Sequence, residues 1–237
     1  MVGAVFVAPE MRRQGIATHL MQDLHEYFQN KGYRGSILDV NEKEAVRLYQ
    51  KVDYQKFAQD LRTKLPPNPN ESQFKWTGTN LKDLSTFPQL DERWARHHFP
   101  VSYDSQSMKV HQYNMSGYRV LRQDQNIVGY ARWEEPSEYY PHGLIRDPIA
   151  PNIDPMAVIA SVQAAIPTQR AWQTAEGSRY ESQLRSLNYP LEPTETVWML
   201  LSFGQEIDLT GHRCRHRYRD GSRWNSNGHT RLSLIHI

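Results

Sequence analysis

The chain of 237 residues has a single cysteine, Cys214, so no internal disulfide framework can form. A reducing, cytoplasmic setting is therefore the default expectation. No apolar run approaches the roughly eighteen residues that a membrane span requires. No charged start with an apolar core precedes the first strand, which gives no sign of a secretory signal. Net charge is also low, at +2, and it is uneven. Residues 211–237 carry six arginines against Asp220, a local +5, which leaves −3 for the rest. A mildly acidic body argues against a nucleic-acid-binding protein. Aromatics, in contrast, are plentiful. Six tryptophans, thirteen tyrosines and seven phenylalanines supply enough core material for one large domain or two modest ones, which excludes wholesale disorder.

Val2–Val7 is short, apolar and β-branched, and predicts a buried strand. Ala8–Met11 interrupts it. After Gly15, the apolar positions Ile16, Ala17, Leu20, Met21, Leu24 and Phe28 follow a helical period that ends near Gly32. Ser36–Val40 predicts a second strand. Asn41 and Glu44 have the spacing of a capping box before a helix with inner face Ala45, Leu48, Tyr49 and Val52. Gln55–Leu65 predicts a third strand. Residues 1–65 thus read β-α-β-α-β, opening with a parallel crossover. Pro66–Asn70, within a linker over 66–73, is stiff and polar. Beyond it come a helix over Leu81–His97, a hairpin of Tyr118–Arg122 and Ile127–Trp133, and a strand over Gly143–Ile149. A helix over Asp154–Ile166, a strand over Ala171–Thr174, a helix over Ser178–Leu187 and a strand over Glu195–Phe203 complete the run. The fold class is α/β with a mixed sheet.

The two halves rhyme. Val7-Ala8-Pro9 and Ile149-Ala150-Pro151 each precede a helix, and Asp53-Tyr54 and Asn188-Tyr189 each follow one. A degenerate duplication is expected, with a first domain over 1–65 and a second over 74–204. The second copy has a helix and a hairpin ahead of its central strand, whereas the first has nothing there. The expectation is a first domain lacking its natural front. Residues 205–237, rich in Arg, His, Gly, Ser and Asn, predict disorder. The end, Leu232–Ile237, resembles translated adapter read-through and suggests a non-native tail.

Arg12-Arg13-Gln14-Gly15-Ile16-Ala17 joins a strand to a helix start. Unpaired N–H groups and partial positive charge at such a start suit a pyrophosphate. The same residues would also make an ordinary strand–helix turn with solvated arginines. Taken together, Val7-x-Pro9-x-x-Arg12-x-x-Gly15-Ile16-Ala17 and Asn41-x-x-x-Ala45-x-x-Leu48-Tyr49-x-Lys51-x-x-Tyr54 resemble the GCN5-related N-acetyltransferase (GNAT) superfamily. The first resembles its Arg/Gln-x-x-Gly-x-Gly/Ala signature and the second its Asn…Leu-Tyr-x-Lys stretch. The resemblance covers about residues 2–62.

That resemblance implies acetyl-CoA as co-substrate, no metal, and transfer to the amine of a small molecule or peptide. Backbone amides of Arg13, Gln14, Gly15, Ile16, Ala17 and Thr18 would hold the pyrophosphate, with Arg12 adding charge. Val5 and Val7 would pair with the pantetheine arm, and Asn41 would lie beside it or simply cap the following helix. Tyr49 would protonate the departing thiolate, or would be only a core tyrosine. Two positions depart from the family pattern: Arg13 stands for a frequent glycine, and Asp53 for the glycine before the aromatic. The general base is unassigned, with Glu10 the only carboxylate nearby.

In the second copy, Asp154 and Pro155 predict a capped helix start, with a carboxylate where a pyrophosphate would sit. Leu191, at a fixed offset from Tyr49, offers no acid. His97, His98 and His142, and the tail run His212–His216, lack ligand spacing for a designed metal site. Trp76, Trp133, Trp172 and Trp198 read as core of the second domain. The alternative to an enzyme is a non-catalytic tandem module that binds acyl-CoA or a protein partner. Oligomeric state is not legible.

Overall fold

The computed structural model describes residues 5–70, 72–87, 89–90, 117–146, 148–204 and 232–236. The chain divides into two compact units: residues 1–60 with 194–211 and 217–237, and residues 61–193 with 212–216. Among the described residues, no helix is long and apolar enough to cross a membrane.

In the first unit, α1 (Ile16–Asn30) leads to β1 (Gly35–Val40), then α2 (Lys43–Lys51) and β2 (Gln55–Leu65), which begins in this unit. The strand β8 (Glu192–Ser202) runs antiparallel to β1, from Gly35 opposite Ser202 to Val40 opposite Val197. It lies between β2 and β1. Its side chains Val197 and Met199 join Met21, Phe28, Leu38, Val40, Tyr49, Val52 and Tyr54 in one core. The expected division at the proline run therefore differs from the observed one. The boundary falls inside β2, and the last strand serves the first unit rather than closing the second. Trp198 goes with it, donating from its indole Nε1 to Asp60 at 2.7 Å.

Two further expectations change here. Val5–Ala8 form no strand, and Met1–Ala4 lie outside the described residues. A strand exists only through its pairing, and the parallel edge of β1 is occupied by β9 (Leu232–His236). The predicted disordered tail thus contains one paired segment of five residues, three of them apolar, along the edge of β1. The rest of it, 205–231, lies outside the described residues.

The second unit holds β3 (Phe74–Gly78), β4 (Tyr118–Gln123) and β5 (Asn126–Glu134) as an antiparallel meander. Next come β6 (Leu144–Arg146), antiparallel to β5, and β7 (Arg170–Ala175), parallel to β6. The short helix α3 (Leu81–Leu84) opens the region predicted as one helix to His97, which continues beyond the described residues. The helices α4 (Pro155–Ala165) and α5 (Arg179–Ser186) pack on Trp76, Trp133 and Trp172. β3 was not legible as a strand. It is short, and its apolar Phe74 and Trp76 alternate with polar residues beside the prolines. The stretch 66–70 is no free linker: Asn68 N–H donates to Gln163 O at 2.9 Å, and Gln163 Nε2 donates to Pro66 O at 3.2 Å.

The rhyme between the halves extends to two helix ends. A Schellman motif closes both α2 and the helix over 179–186, with Tyr54 N–H on Tyr49 O at 3.0 Å and Tyr189 N–H on Leu184 O at 2.9 Å. Asp53 and Asn188 take the left-handed position with φ 68° and 60°. Asp53 therefore keeps the turn that a glycine would make. By this register the counterpart of Tyr49 is Leu184, not Leu191. A non-glycine residue in the left-handed region costs about 1 kcal/mol, so Asp53→Gly should raise stability by roughly 0.5–1 kcal/mol. Urea unfolding of the two proteins measures this. A destabilised variant would show that the Asp53 side chain contributes more than its backbone strain costs.

Candidate functional site

The loop ahead of α1 is held by its own side chains. A 3-10 turn at Pro9–Met11 is followed by Arg12 in extended conformation, its Nε donating to Val7 O at 3.1 Å. The Arg12 guanidinium also lies over the Phe6 ring, 5.7 Å from its centroid. Gln14 Nε2 reaches Glu10 O at 3.4 Å. Arg13 and Gly15 are left-handed, with φ 65° and 80°. These turns aim the chain into α1, whose first backbone bond runs from His19 N–H to Gly15 O.

Gly15 is the N-cap, and no side chain caps the helix. Among the described residues, the N–H groups of Arg13 to Thr18 find no acceptor. Arg13, Gln14 and Gly15 are exposed, and Ile16, Ala17 and Thr18 are half-buried. The result is a solvent-facing set of amides at the positive end of a fifteen-residue helix. Glycine is required at position 15 by its φ. A Cβ there would meet only His19, at an ordinary 3.7 Å. Close approach to a neighbour within the chain is not the reason for it.

The other predicted site residues separate into two groups. Val5 packs against the core cluster that contains Tyr49, so the segment ahead of the loop and the tyrosine share one core. Val7 contributes its carbonyl to Arg12 rather than to a strand ladder. Asn41 is exposed and does not cap α2. The N-cap is Glu42, which makes no side-chain cap bond. Helix α2 starts one residue later than the capping-box spacing predicts, beyond the reach of the Asn41 side chain, and no described contact ties Asn41 to the loop.

Tyr49 is 1% exposed and meets the Tyr54 ring edge-on at 5.6 Å between centroids. Burial pushes its phenol up to about 12, so it is protonated at neutral pH. The Tyr54 hydroxyl donates to Ser36 Oγ at 2.7 Å, and burial raises its phenol too. The Tyr49 hydroxyl has no partner among the described residues. The Tyr49 ring is thus core, and its hydroxyl is protonated.

In the second unit, Asp154 Oδ1 accepts from Met156 N–H at 2.8 Å and Ala157 N–H at 3.3 Å, with Pro155 following. That helix start is capped by a carboxylate, as its sequence predicts. Among the described residues, no three His, Cys, Asp or Glu side chains come together as metal ligands. His97, His98 and His212–His216 lie outside the described residues.

Residues 1–56 match the family model described as an acetyltransferase (GNAT) domain. Residues 1–56 belong to the GNAT superfamily. The loop with its uncapped helix and Tyr49 both fall within that GNAT segment. No curated protein matches the chain in sequence. Among solved structures, the chain is similar to a GCN5-related N-acetyltransferase from Anabaena variabilis, at 18% identity and TM-score 0.60, over 84% of this chain and 54% of that one. It is similar to another from Kribbella flavida, at 17% and TM-score 0.54, over 84% and 52%. A third is Eis1 from Mycobacterium abscessus, at 14% and TM-score 0.52, over 84% and 55%. The chain thus spans about half the length of each, and the likeness is one of fold.

One residue of this GNAT segment escaped sequence reasoning. His25 shares the inner face of α1 with Met21 and Phe28, a spacing that could have revealed it. Its ring packs 5.4 Å from Tyr54 and 5.9 Å from Phe203, and its Nε2 is buried without a hydrogen bond. Desolvation lowers its pKa, partly offset by Asp53. The unfolded chain therefore binds the proton more readily than the folded one. Stability is full above the ordinary imidazole value and falls as pH drops through it. Thermal melts between pH 8 and 5 should show that loss, and His25→Phe should flatten it. An unchanged slope in the variant would assign the loss to other groups.

Proposed function

We propose that the protein is an acyl-CoA-dependent N-acetyltransferase that passes an acetyl group to the amine of a small molecule or peptide. The GNAT fold suggests acyl transfer from an acyl-CoA, and the donor and acceptor named here are our reading. The observation that carries it is the uncapped start of α1, with left-handed Gly15 and the open amides of Arg13–Thr18. Such amides suit a pyrophosphate, as phosphates settle at helix starts. Acyl-CoA would bring the activated thioester carbonyl. The chain's part is to bind and orient it: the six amides hold the diphosphate, and Arg12, fixed to Val7, shapes the loop and adds positive charge. Asn41 is free of capping duty and suits the pantetheine arm. Tyr49 holds a proton at its hydroxyl, ready to hydrogen-bond charge that develops on the leaving sulfur.

Asp154 supports a complementary reading of the second unit. Its carboxylate occupies the amides that a pyrophosphate would need, so that unit keeps the fold without the cofactor site. Calorimetric titration of CoA checks both halves. Gly15→Glu puts bulk and negative charge in the cradle and should weaken binding by about 2 kcal/mol, roughly 30-fold. Asp154→Ala should cost about 1 kcal/mol of stability and leave CoA affinity alone. Two binding sites, or a loss confined to Asp154→Ala, would move the cofactor to the other half.

Turnover tests the chemistry separately. Tyr49→Phe keeps the ring and should lower kcat by about 10²-fold with little change in the acetyl-CoA KM. An unaltered kcat with chemistry rate-limiting would leave Tyr49 as core. CoA binding without any turnover would favour the alternative, a tandem module that only binds acyl-CoA or a protein partner.

A further inference from the structure

The second unit carries a cationic sheet face that the proposed reaction does not use. Side chains alternate along a strand, so the pairings Glu134–Leu144, Trp133–Ile145 and Arg146–Gln173 put Arg132, Glu134, Arg146 and Gln173 on the face opposite Trp133 and Trp172. Arg62 joins them, its guanidinium donating to Gln173 Oε1 at 3.2 Å and lying over the Tyr140 ring at 5.8 Å. Among the described residues, one carboxylate forms ion pairs with this group. Glu134 Oε1 is 3.0 Å from Arg132 Nε and 3.9 Å from Arg146 Nε. Three guanidinium groups against one carboxylate leave an excess of two positive charges.

The decisive feature is unsatisfied donors. The Nε–H groups of Arg62 and Arg146 are both buried and without a hydrogen-bond partner. The Arg146 side chain makes no hydrogen bond among the described residues. A buried donor left unpaired is costly, and native structures satisfy such groups with protein, water or a bound ion. Guanidinium forks bind carboxylate and phosphate oxygens two at a time. We infer that this face is a binding site for a small-molecule oxyanion, a phosphate or carboxylate group held by Arg62 and Arg146, with Arg132 on the rim.

The site is independent of the CoA cradle, and the test separates them. Inorganic phosphate and citrate are titrated calorimetrically into the Gly15→Glu chain, whose α1 start no longer accepts an anion. At least one should bind with a stoichiometry of one, and which one tells phosphate from carboxylate recognition. Arg146→Gln and Arg62→Gln should each weaken that binding tenfold or more, whereas Arg185→Gln, on the exposed face of α5, should not. The milder Arg132→Gln, at a half-exposed position, should lower affinity severalfold and guards against misfolding of the other two. No binding by either anion in the Gly15→Glu chain would overturn the proposal. Equal binding by all the arginine variants would overturn it as well.

Discussion

The first unit depends on the pairing of β1 with β8. Residues 35–40 and 197–202 are separated by the whole of the second unit in sequence, yet they form six consecutive antiparallel partners. Without β8 the core of Met21, Leu38, Tyr49 and Tyr54 would lose Val197 and Met199 and lie open along one side. Met21, Leu38 and Met199 are fully buried, and each such side chain contributes about 1.5–3 kcal/mol. The order of α1, and with it the amides at its start, rests on that core. Contacts so distant in sequence form late and slowly, so the candidate site can be complete only when the chain has been made almost to Ser202.

This dependence also shows why some of the molecule was legible and some was not. Local signals carried well: the period of α1, the cap at Asp154, and the hairpin of β4 and β5. What failed was non-local. The sequence around Trp198 reads as a buried strand in either unit, because its alternation fixes which face is buried and not which neighbour buries it. Val2–Val7 has strand composition, but composition cannot reserve an edge that another segment pairs with. The Asn41 cap failed by a single residue, since Glu42 in extended conformation serves as the boundary without a side-chain bond. The open start of α1 was legible because its requirement is local: a glycine where φ is positive, followed by a helix with no capping side chain.

The helices α1 and α4 start with opposite electrostatics. At α1 the amides face water, and the basic residues Arg12 and Arg13 flank them. At α4 the same kind of amides are satisfied by Asp154. A cap stabilises a helix start by about 1 kcal/mol, so α1 forgoes that stability. Water satisfies the open donors at α1, so what is forgone is the cap alone. Such a sacrifice is the kind of local rule-breaking expected where function, rather than folding, sets the sequence.

The proton at Tyr49 imposes a constraint of its own on the proposed chemistry. A phenol pushed up to about 12 is reliably protonated, which a donor must be. It is also a weak acid toward a thiolate, because burial raises the phenol further above ordinary thiols. Full transfer to an ordinary thiolate is then uphill. A hydrogen bond to charge building on sulfur carries no such penalty, because donation strengthens as the acceptor becomes anionic. The proton released by the attacking amine can then reach the thiolate through solvent. Read this way, burial of Tyr49 is not in conflict with a catalytic role. In the proposed reaction, the contribution expected of Tyr49 is therefore electrostatic before it is a proton transfer.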